Sequence, residues 1–324
     1  MIFWILIRGS INAAWLPGQW TYFIFYGYLA LYAILSSIES SGTSILLFFR
    51  WMEYSFYFVG LHLIKPTLSQ MNRCVFVIIF LNLIVSISQY YGFIGGLHSY
   101  GYFYDASTRV SGLTGGAWEL PAVMSLIGCS FLRYNKNKKA ELFIILSITI
   151  IIYLSATRSG LIGWIAGLLF VYYQKGFKVY HVALIILTFF LIIGHDRLAG
   201  IDFKAIITFD ADNVPLSLWY RLQTWESLYS QMEIQNYIYG IGLGVGGIYL
   251  DGMIAHIFIE MGFVGLLAFI IYYYKISRNA LYLFVILAVN GIVLDVLTAT
   301  KIMFAFYWSV YYINFFSKRK QSSF

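Results

Sequence analysis

Charged residues are scarce in this chain. Only 11% of its 324 residues are Asp, Glu, Lys or Arg, against about 25% in soluble domains. That scarcity excludes an ordinary soluble globular domain. Cysteine is nearly absent. Cys74 and Cys129 both fall in long apolar runs, too few and too deep for a disulfide framework. His98, His195 and His256 show no ligand spacing and have no Cys/His cluster around them, so no metal is expected. A Gly-x-Ser-x-Gly nucleophile elbow is missing as well. Without an internal repeat, a low-complexity tract or a hydrophilic linker, a single integral domain over 1–324 is the economical organisation. Met1 to Ile7 is apolar but too short to span, and it lacks a basic start and a small-residue cleavage site, so no signal peptide is expected.

What is present is apolar and aromatic. The chain is 60% hydrophobic and 20% aromatic, with mean hydropathy +0.77. Apolar runs of about 20 residues recur from end to end, each long enough to cross a bilayer. A membrane β-barrel would show short alternating segments instead. The fold class is therefore all-α, a polytopic integral membrane protein of about ten transmembrane helices. The spans run roughly over 20–38, 44–64, 74–95, 117–133, 141–156, 159–174, 180–195, 253–274, 280–297 and 301–316. The stretch before Trp20, with Arg8 and Pro17, is compatible with an interfacial helix or with part of another span.

Orientation follows the basic residues. The net charge of +7 is concentrated in short loops and the C-terminal tail, a membrane signature rather than a nucleic-acid one. The strongest cluster is Arg133 with Lys136, Lys138 and Lys139. If about ten spans alternate, Lys65 with Arg73, Lys175 with Lys178, Lys275 with Arg278, and Lys318-Arg319-Lys320 fall on the same side. That side is expected to be cytoplasmic, with both termini inside. The opposite, extracytoplasmic face then receives a loop near 96–116, a tight turn at 157–158 and one large loop at about 196–252.

The outer face should be poor in basic residues, yet Arg109, Arg158, Arg197 and Arg221 all fall there. Arg158 stands where a span begins, and free N–H groups and the dipole at a helix start favour an anion. A guanidinium adds charge and a forked pair of donors suited to phosphate. Singly, each arginine also reads as a side chain snorkelling to the headgroups. Together they point to a diphosphate held at the membrane surface. Within the large loop, Pro215 can start an amphipathic helix lying on the membrane and carrying Leu216, Trp219, Tyr220, Arg221, Trp225 and Tyr229. Gly240 to Gly247 contains a G-x-G-x-x-G match but no surrounding βαβ unit. It is read as a site of close backbone approach rather than a dinucleotide site.

Asp251 stands at the mouth of the next span. On an unbroken helix Ala255, Gly262 and Gly265 share its face, a small surface for close helix packing. His256 and Glu260 share a different face, four residues apart, and read either as a functional pair or as two polar groups satisfying each other. Arg50 and Glu53 can pair within their span, Glu119 could orient Arg109, and Asp295 and Lys301 flank the last outer turn.

These segments carry a resemblance. Arg109-Val-Ser-Gly-Leu-Thr-Gly-Gly, Ala156-Thr-Arg-Ser-Gly-Leu161, and Arg221 through Trp225 with Gly240–Gly247 and Asp251–Gly265 resemble the O-antigen polymerase and ligase superfamily over roughly 75–275. The ligase branch has His, ten residues, then Gly-x-x-Gly; here Gly262-Phe-Val-Gly265 matches the second half, and Asp251 stands in place of the His. That departure favours a Wzy-type repeat-unit polymerase, with the ligase as alternative. The resemblance implies a metal-independent glycosyltransferase without cofactor, working in the bacterial inner membrane. Its partners would be a polyprenyl diphosphate-linked glycan donor and acceptor, membrane lipid, and an associated chain-length regulator and flippase. Arg158, Arg221, Arg109 and Arg197 would bind the diphosphate, and Asp251 and His256 are the candidate bases. From another class, a transporter or flippase of lipid-linked glycans also suits charges within spans.

Overall fold

The computed structural model describes residues 19–39, 43–64, 66–95, 109–176, 216–244, 252–292, 294–297 and 299–321. Asp251, Arg197, the stretch 180–195 and most of the large loop lie outside the described residues. Within them the fold is helical, without strands. The helices are α1 (Gln19–Glu39), α2 (Thr43–Ile64), α3 (Leu68–Tyr90), α4 (Glu119–Tyr134), α5 (Lys138–Ser155), α6 (Arg158–Lys175), α7 (Leu216–Tyr229), α8 (Ile234–Tyr239), α9 (Met253–Ser277), α10 (Leu281–Gly291) and α11 (Thr300–Gln321). A 3-10 turn, Arg278–Ala280, links α9 to α10. Among the described residues two stretches are long and apolar enough to cross a membrane, Leu68–Tyr90 and the run Met253–Gly291 that holds α9 and α10.

The expected spans coincide with helices wherever they are described, with shifted ends. The third begins earlier, at Leu68, because Thr67 and Gln70 close a reciprocal capping box there. The ninth is shorter than expected, since α10 stops at Gly291 and the segment to 297 is irregular.

α4 is the hub. Every residue from Glu119 to Leu132 is buried, the pattern of a helix surrounded on all sides. α3, α5, α6, α10 and α11 pack around it. α1 and α2 close the bundle beside α9 and α11. There Phe25 stacks on Tyr272 at 4.3 Å, and Tyr307 Oη lies 3.3 Å from Tyr26 Oη and 3.2 Å from Tyr272 Oη. Those contacts satisfy phenol groups the apolar interior would otherwise strand. α3 turns Val77, Phe80 and Ile84 outward, 54%, 50% and 45% exposed, a large apolar face that asks for an apolar surrounding.

The two ends of the bundle differ. One carries Arg73, Arg133, Lys138, Lys139, Lys175 and Arg278, and is called the basic end below. It is tied together by Lys175 donating to Leu132 O and Asn135 O, and by Tyr312 donating to Asn72. The opposite end gathers the starts of α4, α6, α9 and α11 with the connecting segments, and is called the loop end.

Candidate functional site

The loop end is built around segment 109–118, which has no regular structure yet is largely buried. Irregular backbone away from water needs a partner for each polar group. Two amides of α3 supply them. Gln89 Oε1 accepts from the N–H groups of Ser111 and Gly112 at 3.1 and 2.9 Å, and Asn82 Oδ1 accepts from Leu113 N–H at 2.9 Å. Lys301, at the start of α11, donates to Thr114 O and to Glu119 Oε2, the latter at 3.1 Å. Glu119 is thus held by Lys301 across the bundle, with the Arg50 guanidinium also near enough to act on it. The expectation that Glu119 orients Arg109 rested on proximity in sequence alone. The cation the structure assigns it comes from 182 positions away.

The same segment positions Arg158. Val110 N–H donates to Leu154 O at 3.4 Å, and Thr157 Oγ1 donates to Ala117 O at 2.9 Å. The turn between α5 and α6 is therefore strapped to the segment that begins with Arg109. Ala156 takes the left-handed conformation, φ 50° and ψ 37°, the only non-glycine with positive φ among the described residues. That costs about 1–2 kcal/mol. It allows α6 to start with only two residues between it and the end of α5. Thr157 spends its hydroxyl on carbonyls, so no side chain caps the start of α6 where Arg158 stands. Gly160 lies against the Pro121 ring, bringing α6 onto α4.

α6 packs against α10, with Gly163 facing the Asn290 side chain. Arg158 lies about 7.5 Å beyond Gly163 toward the loop end. The irregular residues 292 and 294–297 follow α10 at that same end. α7 comes to this turn from the other side. Trp225 lies so close to Gly252 that a Cβ there would meet its ring at 2.7 Å and Ile292 O at 3.1 Å. Arg221 is one helical turn before Trp225 on α7. Arg158, at the start of α6, and Arg221, one turn before the Trp225 that lies against Gly252, are both half-buried. Arg109, also half-buried, begins the segment strapped to the α5–α6 turn.

α9 is broken. Gly262 has φ 64° and ψ −167°, a conformation open only to glycine. The break removes the helical donors that would meet Ile259 O and Glu260 O. The loop supplies replacements: Ile241 N–H donates to Ile259 O at 2.9 Å and Gly242 N–H to Glu260 O at 3.0 Å. Tyr32 Oη on α1 also donates to Glu260 O, at 2.6 Å. Gly240, with φ 82°, lets the loop backbone come against Glu260 where a Cβ would collide. The expected close backbone approach of the Gly240 stretch is therefore seen at its described end. The expected helix face of Ala255, Gly262 and Gly265 is not formed. Gly262 abuts Ile238 O, and Gly265 faces Met261 of its own helix. α7 likewise packs on α9, through Trp225, Leu228 and Tyr229 around Met232 and Ile259.

One turn above the break lies a buried polar cluster. His256 Nε2 is 2.9 Å from Glu260 Oε2, and its Nδ1 is 2.9 Å from Asp295 Oδ2. The side chains of His256 and Glu260 are each 1% exposed, that of Asp295 8%. The i, i+4 pair was legible in the sequence. Asp295, 39 positions on, enters through the turn after α10, which is fixed by Met253 N–H donating to Leu294 O at 3.0 Å. A neutral imidazole can donate to one carboxylate, and the doubly protonated ring to both. The Nε2 approach lacks hydrogen-bond alignment, and Glu260 Oε1 is buried without a hydrogen-bond partner. With a carboxylate at each nitrogen, His256 has no ring atom turned toward a ligand. Among the described residues no His, Cys, Asp and Glu group has metal-site geometry.

Compared with known proteins, the chain matches no protein-family model and no curated protein.

Proposed function

We propose that this chain is a multi-pass membrane glycosyltransferase, a polymerase that joins polyprenyl diphosphate-linked oligosaccharide repeat units into a surface polysaccharide. The loop end is the extracytoplasmic face of a bacterial inner membrane and the basic end faces the cytoplasm, as the positive-inside rule requires. About ten spans form the membrane domain, with the large loop of about 196–252 on the outer face.

One observation carries this reading. Arg109, Arg158, Arg197 and Arg221 fall in segments assigned to the face otherwise poor in basic residues, and Arg158 starts a helix with no side-chain cap. Guanidinium groups there stabilise the negative charge that develops on a departing diphosphate. Their fixed charge and forked donors serve in place of a metal. The growing chain leaves its lipid diphosphate as a hydroxyl of the second lipid-linked unit attacks the anomeric carbon. Exposed apolar faces such as that of α3 suit the lipid tails that both substrates carry. Asp251 in the position of the ligase histidine favours the polymerase over transfer to a different acceptor.

A flippase is the second reading, favoured by the broken α9. Transporters keep the freed carbonyls of such breaks for ions or substrate. Here Ile241, Gly242 and Tyr32 occupy them, which fits a static scaffold better. The test is direct. In cells making the polymer, Arg158→Ala or Arg221→Ala, with normal expression, leaves single repeat units on the outer lipid carrier. Normal long polymer in both variants overturns the proposal, and units stranded on the cytoplasmic face point to the flippase.

A further inference from the structure

α8 turns its side chains away from the protein. None of its residues is buried, and Ile234, Ile238 and Tyr239 are 86%, 47% and 60% exposed. Its attachment to α9 runs largely through backbone. Gly262 abuts Ile238 O, Tyr32 Oη lies 2.5 Å from Tyr239 O, and the N–H groups of Ile241 and Gly242 donate to Ile259 O and Glu260 O. A helix that presents apolar side chains outward asks for an apolar surrounding.

The level of the attachment says what that surrounding is. Glu260 and Gly262 lie about 20–23 Å along α9 from Lys275, the cation near its other end. The hydrocarbon layer of a bilayer is about 30 Å thick, so the attachment falls within it when Lys275 stands at the far boundary. α1 gives the same answer independently. Tyr32 lies about 10 Å inside the helix from its loop-end terminus at Glu39.

The hydrogen bonds agree with that depth. Irregular backbone in a bilayer is tolerated only where protein groups satisfy it. The break in α9 frees two carbonyls, the 240–242 backbone brings two N–H groups, and the pairs meet. The next residue is held as well, with Leu243 N–H donating to Ser36 Oγ and Leu243 O accepting from Ser44 Oγ. Polar side chains mark only the first turn, where Gln235 donates to Glu233 at 3.1 Å. The neighbours of the attachment points, Phe263 on α9 and Leu31 on α1, are also exposed.

We propose that α8 and the backbone through Gly242 form a re-entrant segment, a part of the large loop that returns into the outer leaflet so that Ile238 and Tyr239 lie against lipid acyl chains. The proposal rests on the membrane placement in the reading above and not on its chemistry.

The experiment uses the full chain in lipid bilayers, with Cys74→Ser and the buried Cys129 left in place. A nitroxide is attached through Ile238→Cys, Tyr239→Cys, Leu267→Cys on an exposed position of α9, or Gln223→Cys on α7. Collisions with oxygen, which concentrates among acyl chains, are compared with collisions with a water-soluble nickel chelate. At 238 and 239 oxygen should dominate as at 267, with nickel collisions several-fold below those at 223. Nickel collisions at both positions equal to those at 223 overturn the proposal. So do low collisions with both reagents, which would mean that protein covers α8. The two positions are read separately, so one variant suffices if the other does not accumulate. Water access at 267 as well removes the membrane placement and this segment with it. Water access at 238 and 239 alone removes only the segment and leaves glycan transfer standing.

Discussion

The basic end and the loop end follow different rules. At the basic end α3 opens with a capping box from Thr67 and Gln70, and α5 with Asn137 accepting from Lys139 and Ala140 N–H groups. Lys175 meets Glu141, and Tyr172 donates to the other oxygen of that carboxylate at 2.6 Å. Arg133 Nε, Tyr282 Oη and Asn314 Nδ2 are nonetheless buried there without a hydrogen-bond partner, and α10 starts uncapped. At the loop end α4, α6 and α9 all start without a side-chain cap. A left-handed alanine, an irregular buried segment, a helix broken at glycine and an unpartnered carboxylate oxygen lie together there. What distinguishes the loop end is its backbone: the left-handed Ala156 and the break at Gly262 both fall toward it. Such concentration of exceptions is the mark of a site.

Five substitutions break or sharpen this contrast. Gly262→Val should have the largest effect, about 3 kcal/mol or more. A β-branched residue cannot hold its φ, and a Cβ would strike Ile238 O. Thermal unfolding in detergent should show the loss, with new protease sensitivity in 234–244. An unchanged melting temperature would mean that the break in α9 is not held by the loop. Lys301→Met comes next, at about 1–3 kcal/mol. It strands the buried Glu119, but the lysine side chain is 47% exposed and partly screened. Its counterpart Lys175→Met at the basic end should cost a similar amount while leaving glycan transfer intact, whereas Lys301→Met should lower it. Equal activities in the two variants would erase the distinction between the ends.

Asn137→Ala should cost about 1 kcal/mol through the lost cap, without effect on activity. Ala156→Gly should do the opposite on both counts. Relief of the left-handed strain stabilises by roughly 1 kcal/mol, while the looser turn places Arg158 less well and lowers activity. The paired melting temperatures and rates of these two variants check the claim that strain at the loop end serves the site.

Much of the helical frame could be read from the chain. The starts of α1, α2, α6 and α9 fall within a residue of the expected spans, because apolar runs and basic punctuation mark them. The His256–Glu260 pair was visible because four residues make one helical turn. The α7 helix was visible from Pro215 and its aromatic pattern. The sequence predicts only an outer loop near 96–116, since nothing in its composition announces that Gln89 and Asn82 will satisfy the buried backbone of 111–113. The break at Gly262 was missed for a related reason. A glycine permits that conformation, but only the arrival of the 240–242 backbone makes it favourable.

Composition and periodicity alone determined that this is a helical chain for an apolar medium, with its basic residues gathered in the connections. Those properties are sums over local terms, hydropathy per residue and hydrogen bonds within one segment. Tertiary structure decided the partners: Lys301 for Glu119, Asp295 for His256, Tyr32 and the glycine loop for the freed carbonyls of α9. Each joins positions that no short-range pattern relates, and each forms because a polar group removed from water takes whichever donor or acceptor the packing of distant helices brings to it.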